Sequence, residues 1–266
     1  MHKENKIRYS TFTRLIILAS TLWAAGVGAA PQKVNMLVGE MKNEQGTSIP
    51  LLKEWRRIFN VVEQGIGVEF DIRIYPWPRA LANAREGEGL VFGLAKTRER
   101  SQVFHFTEPV FASYVWLVTR SDSAFAFNGV SDLKGKSVGV VRGVSYGDEF
   151  DQQKNKVFRL EEDNASLSSR LQKLERRRMD VMLFSHRESN PDEVAAIINR
   201  FIADQMNSQS FTSGTSFTVL RRPLQAVDIY FAIKADKDDG IIDKMNGAII
   251  RAKKSGEISR ILMDTN

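Results

Sequence analysis

The 266-residue chain contains no cysteine. Disulfides are therefore excluded, and so is a lipid anchor of the bacterial export type, which is built on a cysteine at the cleavage site. The fold must rest on its buried core, and a chain of this length can bury one of ample size. Histidine is nearly as scarce. Three residues, one of them His2, give no cluster with metal-ligand spacing, so neither a metal nor a cofactor is expected. Past residue 30 no stretch approaches the roughly 18 apolar residues of a membrane-spanning helix. The glycines at Gly87-Glu88-Gly89 and Gly135 complete no phosphate loop, and no G-x-S-x-G elbow is present.

What the chain does have begins at its N-terminus. Lys3, Lys6, Arg8 and Arg14 stand against one acid, Glu4. Leu15 to Ala25 then run apolar except for Ser20 and Thr21, and Gly26-Val27-Gly28-Ala29-Ala30 follow. A basic head, a short apolar body and small residues at the end read as a cleavable secretory signal peptide over residues 1–29. Cleavage after Ala29 places small Val27 and Ala29 where the peptidase needs them; one residue later, Pro31 would abut the cut. Losing four bases and one acid takes the net charge from +6 to +3. The basic runs Arg176-Arg177-Arg178 and Lys253-Lys254 lack interleaved aromatics. They read as solvated helix faces, and no nucleic-acid partner is expected.

The hydrophobic pattern alternates strand and helix. Val34–Val38 predicts a strand, and Ser48-Ile49-Pro50 a capped helix start, with Leu51, Leu52, Trp55, Ile58, Phe59 and Val62 on one face before Gly65 and Gly67. Val68 to Ile74 alternates as a half-buried strand, a short helix fits Arg79–Arg85, and Leu90–Ala95 is a strand. After the apolar strand Tyr114–Thr119 a second unit predicts strands at Ser137–Val141, Val157–Leu160 and Val181–Phe184. Its helices fall near Gly147–Lys154, at Leu167–Leu174 capped by Asn164, and at Asp192–Ala203. A strand over Val227–Ala235 leads to a helix capped by Asp239 and, past Gly256, a last short one. The fold class is α/β.

Four segments carry a resemblance: Trp77-Pro78-Arg79-Ala80-Leu81; Lys96 to Arg100 followed by Phe104-His105-Phe106-Thr107-Glu108-Pro109; Asp132 to Val140; and Met179-Asp180-Val181-Met182. In this order and spacing, over roughly residues 33 to 265, the chain resembles the family 3 extracellular solute-binding proteins, amino-acid ABC transporter type. The resemblance implies a two-lobed fold of the periplasmic-binding-protein type II kind. Each lobe is a mostly parallel sheet flanked by helices, and two crossing strands join them. Transferred here, lobe 1 is 31–118 plus 226–266 and lobe 2 is 119–225. It also implies a periplasmic location, a monomer, and an ABC permease or membrane sensor as partner.

Arg100 matches the family arginine that grips a ligand carboxylate, a task suited to a permanently charged fork of donors. Thr97 and Lys96 share its loop. Trp77, at a strand end before a helix, is read either as a wall of the ligand crevice or as a core residue. Arg79 beside it would add positive charge. Glu40 follows the first strand and is read as holder of a ligand amine or as a turn cap. On lobe 2, Ser145 and the backbone of Arg142-Gly143-Val144 are expected to form an anion nest. Five residues after Asp180 such receptors commonly place an Asp for the ligand ammonium, whereas this chain has Ser185, then His186 and Arg187. The departure puts a standard α-amino acid in doubt and favours a more anionic ligand. His186 is a candidate pH-titrating group near the cleft, and His105 reads as a packed histidine.

The expected function is capture of a small carboxylate-bearing ligand between the lobes for an ABC importer, without catalysis. The alternatives are a sensor or orphan binding domain, and a cyclohexadienyl-dehydratase-like enzyme using Glu40.

Overall fold

The computed structural model describes residues 31–42, 47–163, 166–206, 211 and 216–264. The expected signal peptide and the expected cap Asn164 lie outside these residues. The chain opens with β1 (Gln32–Gly39), a small hairpin of β2 (Met41–Lys42) and β3 (Ser48–Ile49), α1 (Lys53–Ile66), β4 (Val68–Tyr75), α2 (Trp77–Arg85), β5 (Leu90–Ala95) and β6 (Phe104–Phe106). The long strand β7 (Phe111–Arg120) leads to β8 (Ser137–Val141), α3 (Asp148–Gln153), β9 (Arg159–Asp163), α4 (Leu167–Glu175), β10 (Val181–His186), α5 (Pro191–Met206) and β11 (Phe217–Val219). The return runs through β12 (Gln225–Lys234), α6 (Ile241–Lys254) and α7 (Glu257–Met263).

These strands join one curled sheet in the order β4-β1-β5-β12-β7-β10-β8-β9, with β6 on β12 and β11 on β7. Each end is a parallel trio, β4-β1-β5 and β10-β8-β9. β12 runs antiparallel against the first trio and β7 against the second. The two meet antiparallel through Phe111–Val115 and Gln225–Ile229. They are the crossing strands of a two-lobed α/β fold, because each carries the chain from one trio to the other.

Strand residues alternate between two buried faces, as a sheet covered on both sides requires. In β1, Met36 and Val38 face one core cluster with α1, α6 and α7, while Leu37 faces another beneath α2. In β7, Val115 and Leu117 enter one cluster of the second half, and Trp116 and Val118 enter the other. The closing helices thus return to cover the first trio.

Phe59 shows what α1 contributes: its ring meets those of Phe70, Phe92 and Phe231 at centroid distances of 6.1, 4.9 and 5.6 Å. Truncating such a side chain to alanine costs about 3–5 kcal/mol. Gly67, at φ 72°, ends α1 in a left-handed turn that a Cβ would strain. Gly65 does not stop the helix. It lies within it, where its missing Cβ leaves room for Ala248 of α6.

Several boundaries differ from the sequence expectation for local reasons. Ser48 and Ile49 pair with Met41 and Lys42 as strand, so α1 begins at Lys53 with no side-chain cap. Ser166 caps α4, accepting from the Ser169 N–H at 3.3 Å. Gly240 rather than Asp239 is the N-cap of α6, and Asp238 Oδ1, two residues ahead of it, accepts from the Gly240 and Ile242 N–H groups at 3.1 and 3.3 Å. β9 starts at Arg159, because Asn155 (φ 58°) turns the chain first.

Candidate functional site

The parallel strands of both halves point their C-terminal ends toward the same crevice, the place where α/β sheets leave room for a ligand. From β1 come Gly39 and Glu40, from β5 Ala95, from β8 and the loop after it Val141, Val144 and Ser145, and from β10 Ser185. Together with Trp77 of α2, Trp55 of α1, Phe92, and Ser113, Val115, Val227 and Ile229 of the crossing strands, they line an inner cavity of ≈ 240 Å³. Gly93 also lines it. It is the extra residue where the β5–β12 register shifts, and its φ of 92° suits glycine alone. A larger outer hollow of ≈ 740 Å³ adjoins it, bordered by Arg85, Thr97, Arg98, Glu99, Asp148 and Asp151 among others. Arg100, Val141, Val144 and Ser145 line both.

Arg100 is 5% exposed. Its Nη1 donates to the Ala95 carbonyl at 3.0 Å, which fixes the guanidinium at the cavity wall. No carboxylate of a described residue lies within 4.0 Å of it. Burial lowers its pKa, and the Asp151 carboxylate across the crevice counteracts this. Thr97 shapes the loop: its hydroxyl accepts from the Arg100 N–H at 3.2 Å, and its carbonyl accepts from the Ser101 N–H and hydroxyl.

Trp77 combines both of its readings. It packs against Gly39, whose absent Cβ would sit 2.9 Å from the indole, and it lines the cavity. Its Nε1 also donates to the Gly143 carbonyl at 3.0 Å, so it ties α2 to the β8 loop. Glu40 lines the cavity with its carboxylate 3.2 Å from Lys42 Nζ.

Other expectations need correction. Lys96 and Arg79 are exposed and line neither hollow. Lys96 lies over the Phe106 ring and Arg79 over Tyr75, because the nearby aromatic faces attract the cations. The loop at Ser145 is not an open anion nest: the Ser145 hydroxyl donates to Asp151 Oδ2, and the Tyr146 N–H points to its Oδ1. A carboxylate of the protein already occupies those donors. Asp151 is the residue that sequence reasoning missed; nothing in a lone acid six positions after a serine marks the contact. Arg187 turns away from the crevice to donate to the Leu262 carbonyl at 2.9 Å. His186 stacks on Phe184 and accepts from the Glu188 N–H at 3.0 Å, with burial, then Arg187, pushing its pKa down. His105 is exposed and meets Asp238 at 2.8 Å rather than packing in the core.

The motif acids prove to be braces. Asp132 Oδ2 accepts from the Asn128 and Gly129 N–H groups. Asp180 Oδ2 accepts from the Ser137 N–H and hydroxyl at 2.7 and 2.8 Å, fastening β10 to β8. Among the described residues no group of acids and histidines is placed to hold a metal ion, and no helix is long and apolar enough to cross a membrane.

Solved structures share this architecture. An amino acid ABC transporter substrate-binding protein from Streptococcus pneumoniae bound to L-arginine matches with a TM-score of 0.64 and 18% identity, over 87% of this chain and 93% of that one. The arginine-, lysine-, histidine-binding protein of Geobacillus stearothermophilus matches with a TM-score of 0.63 and 16% identity, over 87% and 94%. The GluR0 ligand-binding core from Nostoc punctiforme in complex with L-glutamate gives 0.62 and 16%, over 86% and 96%. The family described as bacterial extracellular solute-binding proteins, family 3, matches residues 33–264. With nearly all of the described chain inside that match, the protein belongs to the bacterial extracellular solute-binding proteins, family 3.

Proposed function

We propose that the protein is exported to the periplasm on a leader cleaved after Ala29 and captures a small carboxylate-bearing ligand, anionic or amino-acid-like, for an ABC importer. The lobes are 31–118 with 226–266, and 119–225. They hinge where β7 and β12 cross, and the ligand stabilises the closed state because only there does it touch both. Arg100 seizes the carboxylate. Thr97 shapes its loop, while Trp77, Glu40 and Ser185 bound the cavity. The observation that carries the reading is Arg100 itself: a guanidinium 5% exposed, on a cavity wall, with no carboxylate of a described residue within 4.0 Å. A buried cation in that state is completed by an anion from outside.

The neighbours named above are binding proteins, and Glu40, the acid in the cavity, is held by Lys42 rather than by a base. We therefore read the protein as a receptor and not an enzyme.

Thermal-shift screening of amino acids, dicarboxylates and aromatic or aliphatic acids tests the proposal. A true ligand at 100 times its Kd adds about 2.7 kcal/mol to stability. Arg100→Ala should weaken that ligand roughly 10- to 150-fold, the worth of a hydrogen bond to a charged group at about 1.5–3 kcal/mol. An unchanged shift in a folded Arg100→Ala protein rejects Arg100 as the anchor.

A further inference from the structure

We propose that the inner cavity takes a small apolar monocarboxylate with no ammonium group, such as a branched aliphatic or aryl-alkanoic acid. The inference rests on the reading of Arg100 as carboxylate anchor and specifies what else the ligand carries.

Among the described residues lining the cavity, Glu40 and Arg100 are the charged ones. Glu40 is matched by Lys42 at 3.2 Å, with both side chains mostly shielded. Arg100 has no carboxylate of a described residue within 4.0 Å. Among the described lining residues the unmatched charge is therefore one positive charge, which a monoanion neutralises. A zwitterion would leave it in place and bring an ammonium that needs an acid of its own. Burying an ammonium without one is expensive.

The other acceptors among the described lining residues do not supply that acid. Ser185 and Ser113 are neutral hydroxyls. The Ser145 hydroxyl is turned toward Asp151, and Asp151 lines the outer hollow rather than the inner cavity. Recruiting Glu40 would break its pair with Lys42.

The rest of the wall selects an apolar body. Trp55, Phe92, Val115, Val144, Val227 and Ile229 supply aromatic and branched surface, with Trp55 and Phe92 edge to face at 5.4 Å. The volume of ≈ 240 Å³ suits a small ligand.

Matched pairs differing in the ammonium alone test the inference: 4-methylpentanoate against L-leucine, and 3-phenylpropanoate against L-phenylalanine. Calorimetry on the purified protein should give at least a tenfold tighter Kd for the deaminated member of one pair. Ser185→Asp, which sets a carboxylate on the cavity wall, should move the ratio at least tenfold toward the amino acid. If an amino acid binds as tightly as its deaminated partner, the inference is overturned. Arg100 then still stands as anchor provided that Arg100→Ala abolishes that amino acid's binding. If none of the four compounds binds, this ligand class is wrong, while the broader carboxylate screen decides separately on Arg100. A Ser185→Asp protein that binds with an unchanged ratio also refutes the charge argument.

Discussion

The indole of Trp77 gives the proposed closing motion a measurable handle. Its Nε1 donates to the Gly143 carbonyl at 3.0 Å, and the two residues sit on opposite sides of the crevice, one opening α2 and the other following β8. On the proposed hinge motion, the bond is made in the closed state and broken in the open one. Trp77→Phe keeps a ring against Gly39 but removes the donor. A hydrogen bond of this kind is worth about 1 kcal/mol net, so the closed-to-open ratio should fall about fivefold. If the ligand-free protein were half closed, it would become about one-sixth closed, and apparent affinity would weaken about threefold because ligand binds the closed fraction.

The absence of cysteine makes the assay direct. Glu86→Cys with Lys156→Cys, both exposed positions, provides two unique sites for dyes, one on each half. Single-molecule energy transfer then counts closed and open molecules with and without Trp77→Phe. A closed-to-open ratio that changes less than about twofold would refute the latch, since a 3.0 Å bond to a carbonyl cannot be worth so little unless the free state replaces it.

Two glycines on paired helices should respond oppositely to alanine. A Cβ on Gly65 would sit 2.5 Å from the Ala248 Cβ, so α1 and α6 must part; overpacking of about 1–3 kcal/mol outweighs a helix-propensity gain of about 1 kcal/mol. On Gly247 the nearest atom is the flexible tip of Arg251 at 3.3 Å, so the propensity gain survives. Urea midpoints should fall for Gly65→Ala and rise for Gly247→Ala; equal signs would dismiss the helix contact as the cause. His186 carries a pH prediction. Its folded pKa lies below 6.5, so the stability it contributes is whole above 6.5 and drains away as pH falls toward the folded value. Comparing unfolding at about pH 7.5 and about pH 5.5, His186→Gln should lose less stability on acidification than the parent, and an equal loss would show that the imidazole does not titrate against folding.

The sequence revealed the fold wherever burial imposes a period. The helical stripe of Ile58, Phe59 and Val62 and the doubly covered β1 could be read directly, since their side chains answer to a core whose position the pattern itself implies. Short elements were hidden for the opposite reason. β6 and β11 have three residues each, too few to show alternation, and they exist because β12 and β7 offer unpaired edges. The site divides in the same way. Glu40, Trp77, Arg100, Ser145 and Ser185 converge because each stands at or just beyond the end of a strand, and the strand ends were visible. Whether a side chain at such a place is free is another matter. Lys96 and Arg79 look like Arg100 in the sequence, yet aromatic rings on Phe106 and Tyr75 draw them off. Ser145 looks free until Asp151 is folded against it. Free charge is a property of the assembled crevice. The discriminating fact about Arg100 is therefore not that it is an arginine after a strand, but that the folded crevice buries its guanidinium with no carboxylate of a described residue within 4.0 Å.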